Sequence, residues 1–310
     1  MKIGILGAGA MGQLFGARLQ IAGQAVVFID AAPNTINVLN SEGIALTTED
    51  GAEHTHASAG LASDFRDILD LVMVFTKGFH TAPALESIGH LIGPETHGIT
   101  LQNGLGNGVE LARHFGPDRT WIGTTDFPVD LERPGVLTTS NSGKVRFGSY
   151  SARQASVLPW PFRVLQEARL NPVLEVDILP VIWEKVAFNA ALNTLSAVSG
   201  QTVGQIGKSK ESKELVDHVL AETAAVAASA GVVISLARVK AAITNAYENH
   251  GSHKTSMLQD REAGRRTEID YIGGAVVRLG AEAGVATPVL WTLTLLARQP
   301  LPERRTVTPR

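Results

Sequence analysis

Six residues near the start of the chain have the types and the spacing that a bound diphosphate requires. They form the run Gly7-Ala8-Gly9-Ala10-Met11-Gly12, directly after the apolar segment 2–6, which is typical of a buried parallel strand. Glycines let a ligand approach the backbone, and the helix predicted over 11–22 offers N–H groups that favour a phosphate. An ordinary glycine-rich turn is the alternative interpretation.

A carboxylate at the end of the next predicted strand favours the first interpretation. The segment 24–30 reads as a strand and ends in Asp30, which follows Gly9 by 21 residues. An acid about 20 residues beyond such a turn bonds a ribose hydroxyl of a dinucleotide. The glycine run and Asp30 together therefore predict a dinucleotide site.

A second polar constellation lies in an apolar helix in the second half of the chain. Lys185, Asn189 and Asn193 are each four residues apart, so they share about 80° of the circumference of a helix predicted over 181–198. The rest of that helix is apolar, which predicts burial. Asparagine is a poor helix former, and a solvated stripe would favour Glu, Lys or Arg instead. We therefore expect these side chains to line a cleft.

Ser256 and Glu268 form part of a further polar cluster. In one straight helix they would lie about 18 Å apart on different faces. Both can reach one site only if the chain bends, and Ala263-Gly264 is the expected place. Without the bend, a capping serine and a surface glutamate are a sufficient explanation.

The elements that must position these residues divide the chain into an α/β part and a helical part. Strands and helices alternate with short loops in the first part, which predicts a doubly wound parallel sheet with its ligands at the carboxyl ends of the strands. Lys77 and Asn103 follow two of these strands and would lie on the same edge, although Asn-Gly is also a common turn pair. The predicted strands of this part are 2–6, 24–30, 69–76, 98–101 and 120–123, with a hairpin over 44–57 and an antiparallel extension over 136–149. The predicted helices are 11–22, 33–40, 80–91, 108–115 and 155–170, with a helical turn over 63–68.

Helical periodicity dominates the remainder of the chain. We predict a Rossmann-type dinucleotide-binding domain over 1–177 and an all-α substrate or dimerisation domain over 178–310. The predicted helices of the second domain are 181–198, 210–230, 235–250, about 255–283 and 289–297, followed by a loose Pro-rich tail over 299–310.

Composition excludes several classes of function. The chain has 310 residues, 44% of them hydrophobic and 18% charged, which fits two globular domains. A net charge of −3 does not provide the excess of positive charge that binds nucleic acid or an anionic membrane. No apolar run approaches the length of a membrane span. The absence of cysteine excludes disulfides and thiolate chemistry, and the nine histidines show no metal-ligand spacing. Since the first strand leaves no room for a signal peptide, we expect a cytoplasmic protein.

At this point the residues resemble a known family, the ketopantoate reductases (2-dehydropantoate 2-reductases) of pantothenate biosynthesis. The match covers nearly the whole chain and agrees in order and spacing. The motifs that carry it are Gly7-Ala8-Gly9-Ala10-Met11-Gly12, Thr76-Lys77, Gln102-Asn103-Gly104, Trp183-Glu184-Lys185-Val186-Ala187-Phe188-Asn189-Ala190-Ala191-Leu192-Asn193, Ser256-Met257-Leu258-Gln259-Asp260 and Thr267-Glu268-Ile269-Asp270.

The resemblance implies reduction of a 2-keto acid, 2-dehydropantoate or a related branched one, by hydride transfer from NADPH or NADH. It implies that Lys185 is the general acid and that Glu268 works beside it. It also implies that the substrate is bound by Asn103, Asn189, Asn193 and Ser256, with Asn103 and Glu268 near the nicotinamide. Lys77 and Val129 complete the predicted cofactor site, and no metal is expected. Helical domains of this kind often dimerise, so a homodimer is one expected assembly.

Two departures from the family pattern narrow these expectations. Many members carry a basic residue after the second strand, which pairs with the 2′-phosphate of NADPH, whereas this chain has Asp30-Ala31-Ala32. A carboxylate there would bond a 2′-hydroxyl and repel a phosphate, which favours NADH. Asn193-Thr194-Leu195-Ser196 replaces the usual Asn-Pro-Leu-Thr, and Val203 stands where a further Asn is common. One lost contact favours another branched 2-keto acid over 2-dehydropantoate.

Two other functions are alternatives. A 3-hydroxyacid dehydrogenase of the β-hydroxyisobutyrate type also joins this cofactor fold to a helical domain with a catalytic lysine, although Thr267-Glu268-Ile269-Asp270 argues against it. A non-catalytic nucleotide-binding protein on the same fold is the other alternative, and the presence of Lys185 and its polar neighbours argues against that.

Overall fold

The structure is a computed structural model that describes residues 1–151 and 159–299, and its chain forms two compact units. Met1–Gln102 and Gly106–Val181 make up the first unit. The second unit consists of Asn103–Leu105 and the chain from Ile182 onward. The short segment 103–105 therefore belongs with the helical unit, although its neighbours on both sides in sequence belong to the α/β unit.

The first unit is built on two sheets. Its strands are β1 (Lys2–Leu6), β2 (Ala25–Ile29), β3 (Ile44–Thr48), β4 (Gly51–Thr55), β5 (Ser58–Gly60), β6 (Leu69–Val74), β7 (Ile92–Thr100), β8 (Thr120–Thr125), β9 (Val129–Arg133), β10 (Val136–Thr139), β11 (Val145–Ser149) and β12 (Pro172–Leu174). Eight strands form the main sheet in the order β12-β11-β8-β7-β6-β1-β2-β5, and four form a small sheet in the order β4-β3-β10-β9.

The helices of the first unit connect these strands, and those of the second unit form a bundle. They are α1 (Ala10–Ile21), α2 (Pro33–Glu42), α3 (Thr81–Ser87), α4 (Asn107–Phe115), α5 (Trp160–Glu167), α6 (Leu179–Ser199), α7 (Val203–Lys208), α8 (Lys210–Ser229), α9 (Leu236–Asn249), α10 (Ser256–Glu262), α11 (Gly273–Ala283) and α12 (Pro288–Arg298). The predicted fold class, a Rossmann-type doubly wound sheet followed by an all-α domain, is confirmed.

The strand order creates a switch point beside the glycine run. From β1 the chain builds outward through β2 and β5, then returns to the other side of β1 with β6, and all these neighbours pair in parallel. Leu6 pairs with both Ile29 and Val74, so the three strands end at the same level. Ligands of open α/β sheets bind at such a point, beyond the carboxyl ends of the strands.

Apolar packing covers the main sheet on both faces. Ile3 and Ile5 of β1 join one buried cluster and Leu6 joins another, because neighbouring side chains of a strand point to opposite faces. Continuous apolar strands such as β1 and β6 are typical of parallel sheets between two layers of helices. The helical unit has its own buried cluster, centred on α6.

The small sheet corrects one prediction. The segment 136–149 was expected to extend the main sheet, but only β11 does so, running antiparallel to β8. β10 instead pairs with β3 on one side and with β9 on the other. The predicted hairpin of β3 and β4 is therefore part of the small sheet, separate from the main one. Periodicity predicted these strands, but it does not specify which partner each one chooses.

Several helices also differ from their predicted bounds. The helix predicted over about 255–283 is interrupted between α10 and α11, the one over 80–91 is reduced to α3 with flanking 3₁₀ turns, and α7 was not predicted. The helix predicted over 155–170 is observed as α5, and its residues 155–158 lie outside the described part of the chain. The tail 300–310 also lies outside it. None of the helices in the described ranges combines the length and the apolar composition that a membrane span requires.

His97 makes one part of the main sheet sensitive to pH. Its Nδ1 accepts a hydrogen bond of 3.0 Å from Trp121 Nε1, and its ring packs edge-on against Trp160. Burial, reinforced by the positive charge of Arg119, lowers the pKa of the His97 imidazole from its ordinary value of 6.5. A proton at Nδ1 would also break the hydrogen bond from Trp121.

We expect His97 to reduce stability in acid. Because its pKa is lower in the folded than in the unfolded chain, its contribution is complete above about pH 6.5 and is lost as the pH falls below that value toward the lowered pKa. His97→Gln keeps an acceptor for Trp121 but cannot titrate, so its free energy of unfolding should decline less between about pH 7.5 and about pH 5.5. Urea unfolding at both pH values measures this difference, and equal declines would contradict the assignment.

Candidate active site

Two glycines of the run 7–12 are required by the packing of the turn itself. Gly7 has a φ of +98°, and a Cβ there would lie 2.7 Å from the Thr76 backbone nitrogen. A Cβ on Gly12 would lie 2.0 Å from the Gly7 carbonyl oxygen. Only glycine therefore allows α1 to start so close to the end of β1.

Gly9 differs from its neighbours because the fold does not require a glycine there. Its φ is −74°, and among the described residues no heavy atom outside Gly9 and its two chain neighbours lies within 4 Å of where its Cβ would be. The open side of Gly9 adjoins the first turn of α1, whose leading N–H groups have no partner within the helix. A diphosphate that approaches this backbone fits the arrangement, since it would occupy the open side and accept from those N–H groups.

Asp30 is hydrogen-bonded to the glycine run. Its Oδ2 accepts a hydrogen bond of 2.6 Å from the Ala8 backbone N–H, and its Oδ1 accepts one of 2.8 Å from the Ala32 N–H. The half-buried carboxylate thus lies against the glycine run. No Lys or Arg occurs in the segment 31–43 that follows it.

Two further residues assigned to the cofactor, Lys77 and Val129, lie in the first unit. Lys77 follows β6 and immediately precedes a 3₁₀ turn over Gly78–His80. Val129 is the first residue of β9, half-buried, and pairs with Thr139 of β10. Both residues belong to the first unit, as does the glycine run.

Gln102 has a role that the sequence alone did not assign. Its Nε2 donates to the Thr76 carbonyl at 2.5 Å and to Thr81 Oγ1 at 2.8 Å, and its Oε1 accepts from Thr100 Oγ1 at 2.8 Å. One amide therefore joins the end of β6, the start of α3 and the end of β7. The signal in the sequence was a polar residue at the edge of the sheet inside the motif Gln102-Asn103-Gly104.

In the helical unit, the loop 103–105 brings Asn103 to α6. Asn189 Nδ2 lies 3.4 Å from Asn103 Oδ1. The loop is held by the Leu105 N–H, which donates to the Tyr271 carbonyl at 2.9 Å. Gly104 has a φ of +91°, and a Cβ there would lie 2.2 Å from the same carbonyl oxygen, so this close approach also requires glycine.

The polar stripe of α6 is largely buried. Asn189 and Asn193 are each 6% exposed, and Lys185 is half-buried. Buried amides cost free energy unless they are hydrogen-bonded, so their place in an otherwise apolar helix indicates polar partners. The structure therefore agrees with a largely buried stripe rather than a solvated one.

The bend expected between Ser256 and Glu268 is present. α10 ends at Glu262, and Gly264 follows with a φ of +65°, a conformation that glycine adopts readily. Arg265 closes the bend, since its N–H donates to the Asp260 carbonyl at 2.8 Å and its Nε donates to Asp260 Oδ1 at 2.9 Å.

Ser256 does not cap its helix. Thr255 Oγ1 takes that role by accepting from the Leu258 N–H at 3.3 Å, and this leaves Ser256 exposed in the first turn. Glu268 is half-buried, and its carbonyl accepts from the Tyr271 N–H at 3.0 Å, in the turn that anchors the loop 103–105. All the residues predicted to act on the substrate thus belong to one unit.

Comparison with known proteins identifies relatives over almost the whole chain. Residues 3–152 match a family described as ketopantoate reductase PanE/ApbA, and residues 177–300 match its C-terminal domain. A 2-dehydropantoate 2-reductase of Lactococcus lactis is 30% identical over 301 residues, which cover 96% of each chain.

Solved structures give the same result. A D-mandelate dehydrogenase with NADH and anilino(oxo)acetate is 30% identical with a TM-score of 0.90, covering 96% of this chain and 97% of that one. A 2-dehydropantoate 2-reductase from Geobacter metallireducens is 29% identical with a TM-score of 0.88, covering 96% and 99%. The resemblance inferred from the motifs is confirmed: the chain belongs to the ketopantoate reductase family of NAD(P)-dependent oxidoreductases.

Proposed function

We propose that this protein reduces a branched or aryl 2-keto acid to the 2-hydroxy acid, with NADH as the reductant and Lys185 as the general acid. The observation that carries the proposal is the largely buried stripe of Lys185, Asn189 and Asn193, an ammonium group beside two buried amides. The two amides can orient the carboxylate of the substrate by hydrogen bonds, and the Lys185 ammonium then remains available to donate to the keto oxygen.

The chemistry follows from the charge that develops at the keto oxygen. A bound dihydronicotinamide would supply the hydride to the keto carbon. Lys185 would stabilise the negative charge on the oxygen through its ammonium group and then give that oxygen a proton. Glu268 would orient the ammonium and accept a hydrogen bond from the new hydroxyl. Asn103, held at 3.4 Å from Asn189, and Ser256 would fix the substrate's polar groups.

The start of α7 offers no polar side chain at position 203. Val203 is 3% exposed and belongs to the buried cluster of the helical unit, and a capping box of Thr202 and Gln205 fixes the helix there. An asparagine common in the family at this position would offer a polar contact that valine cannot. A 2-keto acid with an apolar branched or aromatic group therefore fits better than one with a hydroxyl, such as 2-dehydropantoate.

Asp30 supports the choice of NADH. Its carboxylate lies on the glycine run, and the segment after it contains no cation for a 2′-phosphate. The D-mandelate dehydrogenase that this chain resembles was solved with NADH and with a ligand that carries an aromatic ring. That likeness supports both parts of the proposal, the reductant and the apolar substituent.

A panel of 2-keto acids tests the proposed reaction. We expect the highest kcat/KM for a branched or aryl 2-keto acid with NADH, and a value for 2-dehydropantoate lower by about tenfold or more, as one lost polar contact implies. Initial rates of NADH oxidation measure this, with 3-hydroxy acids and NAD⁺ as the comparison arm. A preference for 2-dehydropantoate would overturn the substrate assignment, and turnover of 3-hydroxy acids alone would favour the β-hydroxyisobutyrate type.

A further inference from the structure

Gln13 is a completely buried polar residue in the helix that starts at the glycine run. It is 0% exposed, although the other side chains around it in the first unit's core are largely apolar. An amide in such a place is costly unless each of its polar atoms finds a partner. Its partners therefore indicate what the residue does.

Both ends of the Gln13 amide are bonded to backbone groups, one in the glycine run and one distant in sequence. Its Nε2 donates to the Ala8 carbonyl at 2.7 Å, and its Oε1 accepts from the Gly135 N–H at 2.8 Å. Gly135 lies in the turn between β9 and β10, so Gln13 joins the small sheet to the glycine run.

The Ala8 residue is consequently held from both sides. Its N–H donates to Asp30 Oδ2 at 2.6 Å, while its carbonyl accepts from Gln13. Ala8 stands between the glycine that requires a positive φ and Gly9, which has an open side. The orientation of this short segment decides where Asp30 and the N–H groups of the turn point.

The anchor at Gly135 is itself fixed. The Gly135 carbonyl accepts from the Ala45 N–H of β3 at 2.8 Å, and its φ is +81°. A Cβ there would lie 2.8 Å from the Gly43 carbonyl oxygen, so the turn packs closely on the strand beside it. The small sheet therefore offers Gln13 a rigid point of attachment.

We infer that Gln13 is a positioning residue of the dinucleotide site, through which the small sheet holds the Ala8 peptide and thereby Asp30 in the geometry that selects an unphosphorylated adenosine ribose. This inference rests on the proposed function and assigns the small sheet a part in it. Gln13 itself would touch neither the cofactor nor the substrate. It acts through Ala8 and Asp30.

The chain offers a matched control on the same helix. Gln20 also joins α1 to the small sheet, since its Oε1 accepts from Thr55 Oγ1 of β4 at 2.9 Å. It lies two helical turns from the glycine run and has no bond to it among its contacts in the described chain. Gln20→Met removes a link between helix and sheet, whereas Gln13→Met also releases the Ala8 carbonyl. Both substitutions keep the length of the side chain.

The experiment measures the Kd for NADH by cofactor fluorescence, without keto acid, and then the ratio of kcat/KM for NADH to that for NADPH. We expect Gln13→Met to raise the Kd for NADH by about tenfold, because the released Ala8 peptide must be ordered again when the cofactor binds. The ratio should fall as well, while the KM for the keto acid stays unchanged. Gln20→Met should match the wild type in all three quantities.

A merely structural role would give a different result, because loss of folded protein lowers activity with both cofactors equally and leaves the ratio unchanged. Equal effects of Gln13→Met and Gln20→Met, or an unchanged Kd in folded Gln13→Met, would overturn the inference. If Gln13→Met does not fold, Gln13→Asn keeps the amide one methylene shorter and should show the same selective loss. A wild type that binds NADH but reduces no 2-keto acid would refute the proposed reaction alone, and one that binds no dinucleotide would refute both.

Discussion

Lys185→Ala is expected to lower kcat for the best 2-keto acid by about 10³-fold, which corresponds to about 4 kcal/mol of transition-state stabilisation. The physical reason is that the keto oxygen becomes an alkoxide in the transition state, and the variant offers it neither a positive charge nor a proton. The KM for NADH should change by less than about twofold, because Gly9 and Asp30, proposed to hold the diphosphate and the ribose, belong to the other unit of the chain. Steady-state kinetics at saturating NADH measure both quantities.

Two further variants separate charge from proton donation. Lys185→Arg keeps a cation at the site, but a guanidinium does not release its proton at neutral pH, so kcat should recover only in part. Lys240→Ala is the control, since Lys240 is an exposed lysine of α9 in an ion pair of 2.7 Å with Asp217. It should leave kcat and KM as in the wild type. Unchanged turnover in Lys185→Ala would refute the proposed mechanism.

The positions of these residues show what the sequence could predict. The spacing of Lys185, Asn189 and Asn193 specified one face of one helix, because a helix converts sequence separation directly into direction. Likewise, Gly7 and Asp30 were placed at one edge because parallel strands end there together. The bend at Gly264 was predictable because glycine is the residue that most readily adopts a positive φ.

Contacts between segments distant in sequence could not be predicted in the same way. Nothing local in β10 specifies that it pairs with β3 rather than with the main sheet, since both partners suit an alternating strand. The role of Gln13 could not be predicted either, because a single glutamine inside a helix gives no sign that its amide bonds the Gly135 backbone as well as that of Ala8. Asn103 and Asn189 are 86 residues apart in the chain, so their closeness also depends on the tertiary fold.

Asp30 is expected to have a large effect on the choice between NADH and NADPH. With the wild-type protein we expect kcat/KM for NADH to exceed that for NADPH by on the order of 100-fold. A 2′-phosphate carries a charge of about −1.5 to −2 at neutral pH, and the carboxylate beside it would be repelled, with no cation in the segment 31–43 to compensate. A ribose hydroxyl, by contrast, can donate to the carboxylate.

Asp30→Asn tests the charge while it keeps most of the geometry. The amide oxygen can still accept from the Ala8 N–H, which now bonds Oδ2 at 2.6 Å, but the amide nitrogen cannot accept from Ala32. The free energy of unfolding should therefore fall by about 1 kcal/mol. The preference for NADH should drop to within about tenfold, mainly through a higher kcat/KM for NADPH, since removal of the negative charge relieves the repulsion.

Asp177→Asn is the matched control. The exposed Asp177 also accepts a backbone hydrogen bond, of 3.1 Å from the Leu179 N–H, but it is far from the glycine run in sequence. It should leave the ratio of the two kcat/KM values as in the wild type. Parallel assays with both cofactors at one ionic strength are needed, since screening by salt weakens the repulsion. If the wild type favoured NADPH, or if Asp30→Asn left the ratio unchanged, the carboxylate would be an anchor of the glycine run through Ala8 and not the residue that selects the cofactor.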